Sequence, residues 1–249
     1  MFVKSFTVDK ILRGKISIIQ LKKGFRYGFD TVFLAAFVNG YLKKLKKKKI
    51  SLADIGSGVG TISMIIAYKN NEINITAIEN NYSYLEIANE NIIINNFQKT
   101  INAIKGDVFN IDSKLINSFD IVVTNPPFYD RKQKKSENEL ENYATRIINY
   151  ESWIENSVKL LKDKGIIFLI IPTQLLEKSL KFLSTKSGSF KIFPIWPNQK
   201  KSSKRLILLA KKGGASPTEL MSGMRLLNNR GKITKKARTY SDNGIFNFL

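Results

Sequence analysis

From residue 50 onward the chain alternates apolar runs, glycine turns and stretches of helical period, and this alternation constrains the fold more than any other feature. Strands are predicted over 50–55, 73–79, 101–105, 119–124, 166–171, 190–195 and 205–209. Helices are predicted over 62–68, 82–95, 151–161 and 174–183. A strand–turn–helix alternation of this kind buries a mainly parallel sheet between helices on both faces, an α/β fold. The last two strands flank a lysine-rich turn, 198–204, and can pair antiparallel.

The ends depart from the pattern. Residues 1–20 are of mixed character, with one short strand expected over 16–21. A glycine-marked loop, 22–30, follows. Asp30 is the expected N-cap of a helix over 31–45. Residues 43–49 are nearly all lysine, which suits a solvated helix end. After Lys212 the run Gly213-Gly214-Ala215-Ser216-Pro217 breaks the alternation. The expected organisation is an N-terminal extension (1–48), a central domain (49–212) and a C-terminal appendage (213–249).

The chain has no cysteine and no histidine. Disulfides and thiolate metal sites are thereby excluded, and any chemistry must do without the usual neutral-pH base. No metal is expected. Forty-one Lys and Arg against twenty Asp and Glu give a net charge of +21, which points to a polyanionic partner or to a lysine-rich composition in general. No signal peptide or membrane-spanning apolar run is read, so a cytoplasmic monomer is expected.

Asp54-Ile55-Gly56-Ser57-Gly58-Val59-Gly60 sits between a predicted strand and a predicted helix, the setting a nucleotide-binding turn requires. Its third glycine comes one residue too early for the dinucleotide fingerprint. Asp54 would repel a pyrophosphate but suits the cationic amino-acid end of S-adenosyl-L-methionine. Glu79, followed by Asn80, ends the next strand, where an acid can bind ribose hydroxyls. Asp107 ends the third and can accept from an adenine amino group, with Val108 flanking the ring. Arg26 and Tyr27, on the loop ahead of the cofactor strand, either close over the cofactor or anchor the N-terminus to the core.

Asn125-Pro126-Pro127-Phe128-Tyr129 ends the strand over 119–124. Two prolines fix φ and remove two backbone donors. The Asn125 side-chain oxygen and the Pro126 carbonyl can then each accept one hydrogen of a planar amino group, aiming its lone pair at a methyl donor. Phe128 can stack on a flat target. Such catalysis by positioning needs no histidine.

Asp54-x-Gly-x-Gly-x-Gly with Asn125-Pro-Pro-Phe128 resembles the class I amino-methyltransferases. Gly24-Phe25-Arg26-Tyr27-Gly28-Phe29-Asp30 with Leu34 resembles the entry segment of the tRNA-Val adenine N6-methyltransferase family, and the similarity runs over most of the chain. The resemblance implies a Rossmann-like sheet of seven strands, one antiparallel. It also implies S-adenosyl-L-methionine as cofactor and N6-methylation of the adenosine at tRNA position 37, in the anticodon stem-loop. An exocyclic amino group must be unstacked to be reached, and an anticodon loop is already splayed. Candidate RNA contacts are Tyr129, Arg131, Lys132, Lys134 and Lys135 after the catalytic motif, and Lys200, Lys201, Lys204 and Arg205. The alternatives are methylation of rRNA guanine N2, methylation of a release-factor glutamine, and a non-catalytic RNA-binding protein on a decayed methyltransferase fold.

Overall fold

The computed structural model describes residues 5–24, 26–45, 49–127 and 150–247. A hairpin of β1 (Phe6–Ile11) and β2 (Ile16–Leu21) opens the chain, and α1 (Phe29–Leu42) follows. The alternating region supplies β3 (Ile50–Ile55), α2 (Thr61–Lys69), β4 (Ile73–Glu79), α3 (Tyr82–Ile94), β5 (Ile101–Lys105) and β6 (Phe119–Thr124). After it come α4 (Tyr150–Lys159), β7 (Leu161–Pro172), α5 (Leu176–Ser184), β8 (Ser187–Trp196) and β9 (Arg205–Lys212). Two short strands, β10 (Glu219–Leu220) and β11 (Met224–Arg225), and α6 (Lys235–Asn243) complete the chain.

The seven long strands lie in the order β8-β9-β7-β6-β3-β4-β5, and β9 alone runs against the others. Both short strands add to β8 in parallel, so the sheet is wider at that edge than the expected seven. The central strands are apolar on both faces because helices cover both. Along β7, Phe168 and Ile170 join the core under α1 and α2, while Ile167, Leu169 and Ile171 join the core under α4 and α5. That alternation is the two-residue period of a strand. Among the described residues no helix is long and apolar enough to cross a membrane, and no cluster of three potential metal ligands occurs.

Asp30 is not the cap of α1. The helix begins at Phe29 with Gly28 in the N-cap position, and Asp30 lies in the first turn. Its carboxylate accepts from Arg205 Nε at 2.7 Å, across the molecule on β9. The tail is drawn into the core: Phe246 is 2% exposed, stacks on Tyr240 and donates its N–H to Ala36 O at 2.9 Å.

One buried amide ties the hairpin to the glycine turn. Asn91 on α3 accepts from Ile19 N at 2.7 Å and donates to both Ile19 O (2.9 Å) and Val59 O (3.0 Å). Asn91 is fully buried, so truncating it leaves those groups unsatisfied. Asn91→Ala is expected to cost about 2 kcal/mol, read as a fall in Tm, and to weaken S-adenosylmethionine binding through the turn. Unchanged cofactor affinity in the folded variant would show that the hairpin and turn are not coupled.

Candidate active site

The strand register puts the predicted residues in one row. Ile55 pairs with Thr124 on one side and Ile78 on the other, and Ile78 pairs with Ile104. The residues that follow, Gly56, Asn125 and Glu79, therefore leave the sheet side by side at its carboxyl edge, where open α/β sheets bind ligands.

The turn after β3 is a left-handed path. Gly56, Gly58 and Gly60 have φ of +66°, +56° and +83°, values that favour glycine. Gly56 N and Ser57 N both donate to Ile78 O, at 2.9 and 3.1 Å. A methyl at position 56 would sit 3.0 Å from the Trp153 ring, whereas one at position 58 would meet nothing within 4 Å. The turn is thus braced from below at Gly56 and open at Gly58.

Asp54 is fully buried beneath this turn. Ser63 donates to its Oδ2 through N (3.2 Å) and Oγ (2.7 Å), while Oδ1 has no partner. Burial pushes its carboxyl up to about 7, against the pull of the Ser63 bonds and with a further push from Glu79. Glu79 accepts from Gly58 N at 2.8 Å and Asn81 N at 2.7 Å, and burial raises its pKa as well. Two desolvated carboxylates beside an open turn favour a cation over a pyrophosphate. The hydroxyls of Ser57 and Thr61 also lack partners. Unsatisfied buried oxygens are uncommon in native proteins, and among the described residues three of the four, all but Ser187 Oγ, gather around one turn. A polar, positively charged ligand fits that donor set, as S-adenosylmethionine would require.

Asp107 and Asn80 meet at the neighbouring strand ends. Asn80 Nδ2 donates to Asp107 Oδ2 at 2.9 Å, and Phe109 N donates to Oδ1 at 2.9 Å. Lys105 reaches both the Asn80 carbonyl and its side-chain oxygen. Val108 is buried. The Gly106 backbone passes so close to Ile78 that a methyl there would lie 2.6 Å from its Cγ2.

Asn125 is half-buried, and no described residue hydrogen-bonds its amide; Pro126 behind it is buried. The strand end is fastened from the side. Trp153 Nε1 donates to Thr124 Oγ1 at 3.1 Å, which donates to Ile55 O at 3.0 Å. The same indole braces Gly56 and packs edge-on against Phe109 at 5.9 Å. Trp153 and Thr124 are the site residues that the sequence does not announce, since their contacts join segments far apart in the chain.

The remaining candidate residues fall into three groups. The Arg26 guanidinium is engaged by the hairpin, donating to Thr7 Oγ1 (2.8 Å), Leu21 O (2.9 Å) and Asp9 Oδ2 (2.8 Å). Tyr27 is half-buried on the first core, with burial raising its pKa. Lys200, Lys201 and Lys204 are exposed on the β8–β9 loop, and Arg205 is held by Asp30. Phe25, Phe128, Tyr129, Arg131, Lys132, Lys134 and Lys135 lie outside the described residues.

Comparison with known proteins decides the family. The methyltransferase small domain profile matches residues 39–193, more than half of the chain. The chain belongs to the methyltransferase small domain family. Among similar proteins, one from Flavobacterium psychrophilum named tRNA1(Val) (adenine(37)-N6)-methyltransferase is 26% identical over 183 residues, 73% of this chain and 74% of the relative. One of the same name from Actinobacillus pleuropneumoniae serotype 7 is 29% identical over 167 residues, 65% and 69% of the two chains. A predicted O-methyltransferase from Agrobacterium tumefaciens shares the fold with a TM-score of 0.70 at 18% identity, covering 88% of this chain and 98% of that one. TYW2 of M. jannaschii in complex with AdoMet has a TM-score of 0.57 at 13% identity, with 85% and 87% covered. The methyltransferase small domain chain is therefore an S-adenosylmethionine-dependent enzyme of the class I fold.

Proposed function

We propose that this methyltransferase acts on the exocyclic N6 amino group of an adenosine in tRNA, at position 37 of tRNA-Val. The observation that carries it is Asn125-Pro126-Pro127, set one strand from the glycine turn, with an amide that no described residue hydrogen-bonds and two prolines that fix the backbone. The names of the relatives point to the same nucleoside. Release-factor and rRNA substrates find no comparable support.

When bound, S-adenosylmethionine supplies a methyl group on a positively charged sulfur. The residues of the chain do the positioning. Asp54 and Glu79 set a negative potential behind and beside the turn. Gly58 leaves room for the ligand, and Asp107 offers an acceptor for its adenine end. The Asn125 side-chain oxygen and the Pro126 carbonyl accept the two hydrogens of the target amino group, which aims its lone pair across the row toward Gly56. Phe128 supplies an aromatic face for the target base. One amino proton leaves to solvent once nitrogen carries the methyl. Arg131, Lys132, Lys200 and Lys204 supply the phosphate contacts, which makes binding fall with salt. Arg26 acts by holding the hairpin on which Tyr27 rests. The enzyme acts as a monomer in the cytoplasm, with a catalytic unit over 49–212 flanked by its two end segments.

The test is methyl transfer to total tRNA that lacks the modification, followed by nucleoside mass spectrometry. N6-methyladenosine is the expected product, confined to tRNA-Val. Label in protein or in guanosine would overturn the substrate assignment.

A further inference from the structure

A second pocket, of about 530 Å³, opens on the C-terminal side of β8 and takes no part in the chemistry above. Trp196, Asn198, Gln199, Gly223, Arg225 and Lys236 contribute to its lining. The walls are fixed by backbone pairing. β11 runs parallel to the end of β8, matching Met224 to Ile195 and Arg225 to Trp196. Beyond it, Leu226 N donates to Trp196 O at 2.8 Å and Leu227 N to Pro197 O at 2.9 Å. Gly223, at φ +70°, lets the chain pass against the indole: a methyl there would lie 2.4 Å from the ring and 2.2 Å from Pro194 O. The tail after residue 213 therefore clamps Trp196 in place as one wall.

The chemistry of the lining is selective. Trp196 is half-buried, and its indole N–H meets no described acceptor. Asn198 Oδ1 accepts from Lys200 N at 2.9 Å, which leaves its amide hydrogens available. Gln199, Arg225 and Lys236 are exposed. The lining holds two cations, two amides and an aromatic ring, with no carboxylate among the described residues. A flat ring with polar edges and an attached phosphate satisfies all of these at once, by stacking, edge hydrogen bonds and charge pairing.

Its place in the fold ties the pocket to the catalytic row. β9 is antiparallel to both β7 and β8, so β8 points the same way as β6. Trp196 and Asn125 accordingly leave the same edge of the sheet. Thr124 pairs with Leu169, Leu169 with Leu208 and Leu208 with Ile192, three strand spacings or about 14 Å across, and Trp196 stands three residues, about 10 Å, further along its strand than Asn125 does along its own. A few nucleotides of single-stranded RNA span that distance. The exposed Lys200, Lys201 and Lys204 stand on the loop beside the pocket, where they can meet the intervening phosphates.

We infer that this pocket holds one unpaired nucleotide of the RNA substrate, a few positions along the strand from the methylated adenosine, with its base stacked on Trp196. The inference rests on RNA being the substrate. Its test is the Kd of a labelled RNA hairpin carrying the tRNA-Val anticodon stem-loop, measured for wild type, Trp196→Ala and the surface variant Gln199→Ala/Lys236→Ala. S-adenosylmethionine binding is measured alongside as the control for folding.

Trp196→Ala is expected to weaken RNA binding by about five- to a hundredfold, with cofactor affinity unchanged. Replacing the loop nucleotides one at a time by abasic sites should find one position, other than the target, that costs the wild type a similar factor and costs Trp196→Ala nothing. Wild-type RNA affinity in a Trp196→Ala protein that binds cofactor normally would overturn the inference. If that variant fails to bind cofactor, the surface variant and the abasic scan on wild-type protein decide, and no sensitive position besides the target would overturn it. Competition by free adenosine monophosphate with no effect of Trp196→Ala on RNA would overturn it too, marking a small-molecule site. Failure of the adenosine assignment looks different: Trp196-dependent RNA binding with no N6-methyladenosine formed.

Discussion

Asn125→Ala is expected to lower kcat for tRNA methylation by about a hundred- to a thousandfold, the usual loss when one preorganised partner of the reacting group is removed. The side chain stands at the end of β6, where no described residue competes for its amide. Its removal therefore costs little stability, and Tm should stay close to that of the wild type. Cofactor affinity should also hold, because Gly58 and Glu79 are linked to each other and not to Asn125. The loss should fall on kcat with KM for RNA nearly unchanged, the pattern of an interaction that matters at the reacting atoms. Asn125→Asp keeps an acceptor oxygen in place but adds a charge, and should lose less than alanine. A fall in kcat below tenfold for Asn125→Ala would mean that something else holds the amino group.

That Asn125 is legible in the sequence as the residue leaving a buried strand follows from how the sheet is built. The strands β3 to β6 are followed at once by Gly56, Asn80, Gly106 and Asn125, so both the strand and the residue leaving it are written locally. Parallel pairing in register then brings Gly56, Glu79 and Asn125 into one row with no further information. Contacts that cross the fold are not written this way. Trp153 reads as one apolar position on a helix face, yet it braces Gly56 and bonds Thr124. β1 escapes the pattern because its residues alternate only between exposed and half-buried, with no apolar face to mark it. Asp30 reads as a cap because its partner, Arg205, is distant in sequence. Phe246 and Gly223 carry no local mark either, since the surfaces they meet belong to α1 and β8.

The buried carboxyl of Asp54, beneath the glycine turn of the candidate site, makes stability depend on pH with a sign that is testable. Burial raises its carboxyl from 3.8 to about 7, so the folded protein holds a proton that the unfolded chain releases. The folded state is favoured by that proton at acid pH. The contribution begins to be lost as pH climbs past about 4, and is gone once pH has passed about 7. A carboxylate held ionised against such a displacement costs on the order of 4 kcal/mol. An asparagine side chain in its place cannot ionise, and its oxygen can still accept from Ser63. The Tm of Asp54→Asn minus that of wild type should therefore widen as pH rises toward 7 and then level off. S-adenosylmethionine should narrow the gap, because a bound cation offsets the cost of the ionised carboxylate. For the same reason wild-type cofactor affinity should strengthen as pH rises through about 7, while the Asp54→Asn protein binds at least about tenfold more weakly, with a flatter pH dependence. Parallel Tm curves for the two proteins across this range would show that Asp54 is already ionised at acid pH, and the buried charge would then need a cationic partner within the protein itself.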